Sequence, residues 1–339
     1  MKKILFISFF LTLVFKHECI AQDPAFSQFF SSPLNINPGL TGYINGDWRF
    51  ISNLRDQWIG PASPYTTGTT SFDSKIFQNH IPFEPEKNFM GAGAMLMYDN
   101  AMSGIQRSMY GSLNLAYNLA LYQGETSHRL SAGFGATYYK RTIDYTRVNF
   151  ERQWIGLYGF DTNLPTGEPA LYQMKGNVSV NAGLVYSFQS DKSNLDIGVA
   201  GFHLNKPKQT FIADPHQFLE IRKVAHANFE TFLNNATVLN MNFIYQQQAE
   251  TFYYSGGASL GYFVGADESK ILNAGVWYWS NNAIIPYVGL AYGQYQFGFS
   301  SDITISELNK ADRKPFTWEL SLIIRGQNKP SRIIPCPWK

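Results

Sequence analysis

The strongest pattern along the chain is an alternation of apolar and polar residues. In residues 109–121 one face is mostly Leu, and the other is mostly Ser, Asn and Ala. Residues 130–138, 178–188 and 316–324 repeat this period of two, which predicts β-strands with one apolar and one polar face. Strands of soluble proteins are usually about five or six residues long. The longer runs here favour strands that face lipid on one side and water on the other.

Segments of this kind recur along the whole chain. Fourteen can be counted, at residues 48–57, 65–76, 89–100, 107–122, 128–141, 177–189, 194–204, 222–233, 236–248, 252–264, 270–280, 284–291, 294–303 and 316–325. An even number is typical of single-chain bacterial barrels, and counts of about twelve or sixteen also stay open. The sequence therefore predicts an all-β fold, a transmembrane antiparallel β-barrel over residues 47–325.

No stretch beyond residue 21 predicts a membrane-spanning helix. The nearest candidate, residues 271–301, carries no charge, but Asn, Pro and repeated Gly divide it into hairpin-sized pieces. Without spanning helices, only a closed barrel pairs every backbone N–H and C=O group inside a membrane. We therefore expect the strands to close into a barrel.

The first residues are typical of a secretory signal peptide. Two lysines precede an apolar run over residues 4–15, and Cys19 lies two residues before Ala21. The run is shorter than the roughly 20 residues of a membrane helix. We therefore predict cleavage after Ala21, with residues 1–21 removed. Acylation at Cys19 is an alternative, although Glu18 stands where lipid-attachment sites usually have a small residue.

Composition favours a membrane barrel over a soluble core. The chain has 54 aromatic residues (7 Trp, 20 Tyr and 27 Phe), 28 Gly and only 15% charged residues, with a mean hydropathy of −0.20. A net charge of +2, without basic blocks interleaved with aromatic residues, excludes nucleic acid as a partner. After cleavage Cys336 stands alone, so no internal disulfide is expected; a free thiol is favoured over acylation or a disulfide to a partner.

Three segments fall outside the alternation. Residues 22–46 contain three prolines and predict a periplasmic or luminal segment that docks on a partner, occludes the pore or caps the barrel. Residues 144–175 form the longest connection and hold several aromatic residues, which favours a functional loop on the extracellular side. Residues 326–339 form a proline-rich tail in which no further strand is expected.

Both ends of the mature chain carry distinctive motifs. The N-terminal residues are QDPAFSQFF from residue 22 and NPGLTG from residue 37, and the first hairpin contains NLRDQW from residue 53. Near the C-terminus stand FSSDITISEL (299–308) and WELSL (318–322). Together these motifs resemble the opening and closing motifs of the PorP/SprF family. They bracket nearly the whole mature chain, whereas the middle loops carry little family signature.

The resemblance implies a function at the outer membrane. PorP/SprF proteins are outer-membrane β-barrels of type IX secretion and gliding motility in Bacteroidetes. Some belong to the machinery itself, and others help to export a large secreted protein or hold it at the cell surface. The implied partners are outer-membrane lipid, type IX secretion components and a secreted cell-surface cargo protein, with no cofactor.

Ten residues are candidates for partner binding or for the barrel lumen. Five lie in the N-terminal segment, namely Phe26, Phe29, Phe30, Asn37 and Pro38. The other five lie in or next to the first, second and last strands, namely Arg55, Gln57, Trp58, Asp73 and Glu319. Exposed aromatic residues in such number would form a sticky patch, so we expect the three Phe side chains to be buried. The charged residues are expected to brace the wall across its interior, with a binding role as the alternative.

No catalytic or metal-binding constellation stands out. The histidines lack metal-ligand spacing, and neither a Gly-x-Ser-x-Gly motif nor a Ser/His/acid order stands out. We therefore predict that the protein is not an enzyme and has no catalytic, cofactor-binding or metal residues. The favoured hypothesis is export or surface attachment of an adhesin-like cargo by binding. The alternatives are a passive porin or solute channel and, less favoured, a barrel enzyme.

Overall fold

A computed structural model describes residues 23–61, 63–77, 88–168, 174–209, 217–264 and 270–326. Within these residues, fourteen antiparallel strands close into one barrel. The strands are β1 (Trp48–Ile59), β2 (Tyr65–Ile76), β3 (Phe89–Ala101), β4 (Gln106–Gln123), β5 (Ser127–Ile143), β6 (Asn177–Gln189), β7 (Ser193–Phe202), β8 (Arg222–Asn234), β9 (Thr237–Gln248), β10 (Thr251–Val264), β11 (Lys270–Trp279), β12 (Ala283–Tyr292), β13 (Tyr295–Thr304) and β14 (Phe316–Gly326).

The barrel closes where its first and last strands meet. Each strand pairs with its sequence neighbour, and β1 also pairs with β14, with Trp48 opposite Gly326. Closure leaves no strand edge with unpaired backbone groups. The predicted all-β barrel is confirmed, and every strand begins and ends within two residues of the position that the alternation predicts.

The two faces of the wall have opposite polarity. On β4, Leu113 is 70% exposed on the outside, whereas the adjacent Asn114 is 3% exposed on the inside. The same holds on β14, where Leu320 is exposed and Glu319 is fully buried. An apolar exterior with a polar interior is the arrangement of a barrel surrounded by lipid. Within the described residues, no helix has the length and apolar character needed to cross a membrane.

The two ends of the barrel differ in the length of their connections. One end carries residues 144–176 between β5 and β6, residues 203–221 between β7 and β8, and residues 305–315 between β13 and β14. We call it the loop end. The opposite end, which we call the turn end, carries residues 77–88 between β2 and β3 as its longest connection, and its other connections are short, such as residues 190–192 and 293–294.

Residues 23–44, which we call the luminal segment, precede β1. They form no strand, as their prolines predicted, but three short helical turns at Phe29–Ser31, Pro33–Ile36 and Pro38–Leu40. Proline opens two of these turns, where its missing N–H costs no hydrogen bond. The predicted signal peptide, Cys336 and the tail beyond residue 326 lie outside the described residues.

Candidate functional site

The luminal segment lies inside the barrel. Every strand contributes an inward residue to the hydrogen bonds, close approaches or apolar clusters that surround it. These residues include Asn53, Asp73, Gly91, Tyr110, Gly133, Gly183, Asp196, Arg222, Gln248, Tyr253, Trp277, Tyr287, Asp302 and Glu319, in the order β1 to β14. Only a segment enclosed by the wall can meet all fourteen strands.

At the loop end the segment is fastened by Asp23. The Asp23 carboxylate lies 2.7 Å from His203 Nε2 and 3.2 Å from Arg222 Nε, and its backbone N–H donates to Gln248 Oε1. Burial alone would raise the pKa of this carboxyl, but His203 and Arg222 outweigh it and hold the pKa well below its usual range. His203 follows β7 directly and Arg222 begins β8. Asp23 is therefore contacted from both ends of the β7–β8 connection.

A buried charge cluster joins the segment to the seam between β1 and β14. Arg55 on β1 contacts Asp302 at 2.9 Å and Glu319 at 4.0 Å. The backbone N–H groups of Ser27 and Gln28 donate to the Glu319 carboxylate at 2.8 and 3.1 Å. Buried carboxylates need such donors because they have lost their water. The segment therefore supplies hydrogen bonds to a buried carboxylate on β14, one of the two strands that close the barrel.

Aromatic rings fill the centre of the lumen. The Phe30 ring lies 4.6 Å from the Trp277 ring and 5.4 Å from the Tyr287 ring, centroid to centroid. Phe29 belongs to the same buried cluster. Phe26 lies in a second cluster, which consists of Met97, Tyr110, Tyr139, Met174 and Leu219. These contacts leave the three Phe side chains of the segment at most 4% exposed.

Towards the turn end, the segment comes closest to the wall at positions occupied by glycine. A Cβ on Gly133 would collide with the Pro38 carbonyl group, and a Cβ on Gly91 would lie 2.5 Å from the Thr41 carbonyl carbon. The Asn37 side chain lies against Gly183 and donates to the Leu184 carbonyl at 3.0 Å. The wall therefore has no side chain at the points where the segment comes closest to it.

The last turn of the segment is fixed by a buried ion pair. Arg49 and Asp73 face each other across β1 and β2 at 2.9 Å, and both are buried. The Gly42 N–H donates to Asp73 Oδ2 at 2.8 Å. Gly42 has a φ of +71°, which favours glycine, and this geometry leads the chain from the lumen into β1.

Most of the ten candidate residues lie together in the lumen. Phe26, Phe29, Phe30, Asn37 and Pro38 are buried in the segment, while Arg55, Asp73 and Glu319 bind it from the wall. Gln57 and Trp58 lie apart, partly exposed near the loop end of β1. A register shift lies between Asp56 and Ile59, and the Trp58 N–H donates to Thr317 Oγ1 at 3.1 Å.

Other luminal residues were not among the candidates. Three of them, Arg49, Arg222 and Asp302, are buried, charged residues of the wall that contact the segment. A fourth, Asp23, belongs to the segment itself. All three wall residues stand at inward positions of predicted strands. A charged residue at an inward position was therefore the signal that could have found them.

The expectation that no nucleophile motif is present needs one correction. Residues 257–261 have the sequence Gly-Ala-Ser-Leu-Gly, which matches Gly-x-Ser-x-Gly. Ser259 lies in the middle of β10 and is 7% exposed, whereas a nucleophile elbow needs a turn between a strand and a helix. Among the described residues, no group of three or more His, Cys, Asp or Glu side chains could hold a metal ion.

The β5–β6 connection presents apolar side chains at the loop end. Trp154 and Phe160 form an isolated bridge, and their rings lie 4.9 Å apart. At the tip between them, Leu157 and Tyr158 are almost fully exposed. Apolar tips of this kind are typical of surfaces that meet a partner.

Comparisons with known proteins agree with this architecture. The family model described as type IX secretion system membrane protein PorP/SprF matches residues 18–324. A search of the curated proteins found no match.

Solved structures of other membrane barrels match this chain at low sequence identity, and one of them reaches a TM-score of 0.50. A mutant of the TodX monoaromatic hydrocarbon channel has a TM-score of 0.50 at 9% identity, covering 89% of this chain and 94% of that one. The Pseudomonas putida toluene transporter TodX has a TM-score of 0.49 at 10% identity, with 86% and 92% covered. The translocator domain of the Neisseria meningitidis autotransporter NalP has a TM-score of 0.37 at 9% identity, with 86% and 93% covered. At 9% identity, the likeness to the TodX mutant concerns the fold alone.

Proposed function

Because the chain belongs to the PorP/SprF family of type IX secretion system membrane proteins, we propose that it supports export or surface attachment of a secreted, adhesin-like cargo by binding it. The protein is an outer-membrane β-barrel and a component of type IX secretion. Its family and fold are of the non-enzymatic secretion and transport type. Beyond this membership, we propose the kind of cargo and that the barrel acts on it by binding.

The observation that carries the proposal is the occupied lumen. The luminal segment meets every strand of the wall, and its central rings are buried. A substrate that crossed the barrel would have to displace this segment together with its buried ion pairs. Binding at the ends of the barrel requires no such displacement.

The loop end is the surface that we assign to the cargo. In outer-membrane barrels the longer connections face the cell exterior and the short turns face the periplasm. This orientation would expose Leu157 and Tyr158 to a secreted protein and would turn the short connections towards the secretion machinery. A passive porin or solute channel, the alternative, would need the volume that the luminal segment fills.

Deletion of the gene tests the proposal directly. We expect one or a few large proteins to disappear from the cell surface or to change their amount in the medium, as measured by quantitative proteomics of both fractions. Re-expression of the intact chain serves as the control and should restore them. An unchanged surface and medium proteome would refute the export and attachment role.

A further inference from the structure

Residues 23–26 occupy two adjacent pockets at the loop end of the lumen. The first pocket holds the Asp23 carboxylate between His203 and Arg222, with Gln248 accepting the backbone N–H. His203 and Arg222 are 4% and 3% exposed. The His203 ring is held by Ser179 at 2.7 Å from Nδ1, and the Arg222 guanidinium lies 4.0 Å from the centroid of the Phe202 ring. The pocket is therefore positioned by contacts that do not involve Asp23.

The second pocket holds the Phe26 ring. Its lining consists of Met97, Tyr110 and Tyr139 from the wall and Met174 and Leu219 from the two longest connections. Methionine and aromatic side chains form an adaptable apolar surface for an aromatic ring. Part of this pocket is therefore built by connections at the loop end.

The backbone between the two pockets is also bound. Arg55 donates to the Ala25 carbonyl at 2.5 Å, and Pro24 restricts the conformation of the chain. The two pockets thus recognise an acidic residue and, three positions later, an aromatic residue, with one backbone contact between them. This is the pattern of a peptide-binding groove with side-chain pockets that set specificity.

We propose that this groove is a recognition site for peptides with an acidic residue three positions before an aromatic residue, and that residues 23–26 occupy it in cis. A segment of a partner protein with the same chemistry exchanges with them. The inference deepens the proposed function, since such a partner would reach the groove from the loop end. Residues 23–26 then compete with the partner segment for the groove, so the partner must bind tightly enough to displace them.

The chemistry of this end makes exchange feasible. Residues 23–26 are held by one ion-paired carboxylate, one ring and two backbone hydrogen bonds, from the Asp23 N–H to Gln248 and from Arg55 to the Ala25 carbonyl. Each of these has an equivalent in a peptide of the same pattern, so exchange leaves no buried charge without a partner. The rest of the segment keeps its contacts with the wall.

The test uses the full-length barrel in detergent with both pockets emptied by Asp23→Ala and Phe26→Ala. The probe is a fluorescent, end-capped peptide of sequence Asp-Pro-Ala-Phe, and its binding is followed by anisotropy. We expect saturable binding at least ten-fold tighter than that of Asn-Pro-Ala-Phe or Asp-Pro-Ala-Ala. The unsubstituted chain should bind the same peptide at least ten-fold more weakly, because its own residues compete.

A further substitution identifies the pocket. Adding Arg222→Gln to the emptied barrel should abolish the preference for the Asp peptide over the Asn peptide, while the exposed Lys310→Gln should leave the preference unchanged. Heat-modifiable migration on gels verifies folding. Should the double substitution prevent folding, Asp23→Asn alone keeps the side-chain shape and should raise Asp-Pro-Ala-Phe binding over the unsubstituted chain.

Two results would overturn the inference. One is a folded, emptied barrel that does not bind the peptide, and the other is equal binding of the Asp and Asn peptides. Neither result would affect the proteome measurement above, so failure of the groove and failure of the export role are distinguishable.

Discussion

Residues 33–44 and residues 23–28 of the luminal segment share one lumen but contact its wall through different chemistry. Residues 33–44 lie against wall glycines such as Gly133 and Gly183, so that shape sets the position of their middle part, and the buried Arg49–Asp73 pair fixes their last turn. Residues 23–28 are held by charged groups, namely Arg222, Asp302 and Glu319. A close steric fit tolerates little change, whereas ionic contacts can be replaced by groups of the same charge. The comparison indicates a fixed half at the turn end and an ionically held half at the loop end, and only residues 23–26 of the latter are proposed to exchange.

The largest expected effect comes from removing the cation at the seam. Arg55→Met leaves Asp302 and Glu319 buried without their cation. Loss of one partner of a buried pair costs about 3–5 kcal/mol. We expect a fall of this size in the free energy of unfolding, measured by denaturant titration in detergent. Lys310→Met, in an exposed pair with Glu307, is the control and should leave the midpoint unchanged.

A smaller loss is expected where only a hydrogen bond is removed from the ionically held half. The Ser27 hydroxyl donates to Asp302 at 2.8 Å, and a hydrogen bond to a charged group contributes about 1.5–3 kcal/mol. Ser27→Ala should lower the free energy of unfolding by that amount. The exposure of each half can be followed by maleimide labelling of a single cysteine, introduced as Ala25→Cys or Thr41→Cys in a Cys336→Ser chain. Ser27→Ala should speed labelling at residue 25 but not at residue 41.

The control for this prediction is a hydroxyl pair that does not touch the segment. Ser193 and Thr231 bond each other across β7 and β8 at 2.8 Å. Ser193→Ala should cost only about 0.5–1.5 kcal/mol and should leave both labelling rates unchanged. Equal labelling changes at residues 25 and 41 in the Ser27→Ala chain would mean that the two halves move as one.

The fixed half is tested by adding one methyl group to the wall. A Cβ on Gly133 would collide with the Pro38 carbonyl group, and overpacking of this kind costs about 1–3 kcal/mol. Gly133→Ala should therefore destabilise the barrel and speed labelling at Thr41→Cys. Gly111→Ala, whose Cβ would meet only a Leu96 methyl group at 3.6 Å, is the matched control. Equal behaviour of the two variants would contradict the steric account.

The smallest effect on stability is expected outside the lumen. Leu157→Ser and Tyr158→Ser change side chains that are almost fully exposed at the loop end, and such changes usually stay within about 0.5 kcal/mol. We expect the paired variant to keep its unfolding midpoint but to lose surface display of the cargo, measured by surface proteomics. Full display by this variant would remove the β5–β6 tip from the proposed binding surface.

The wall could be predicted from the sequence, because the alternation of residues and the pleat of a strand share the same period. Residues such as Leu113 and Asn114 therefore indicate both the strand and its two faces. The contents of the lumen could be predicted only in part. The prolines of residues 22–46 excluded a strand and the Phe residues indicated burial, but nothing local indicates that Asp23 meets His203 and Arg222. These contacts join residues about 180 and 199 positions apart, and only closure of the barrel brings them together.

The central claim, that the lumen is occupied and that the barrel acts by binding, is tested most directly by electrical conductance. The purified, unsubstituted chain would be reconstituted in planar lipid bilayers and its current recorded at steady voltage. The account predicts insertion without sustained channel steps, because residues 23–44 fill the lumen. A steady, ohmic conductance of the kind that open porins show would contradict it and would favour a passive channel.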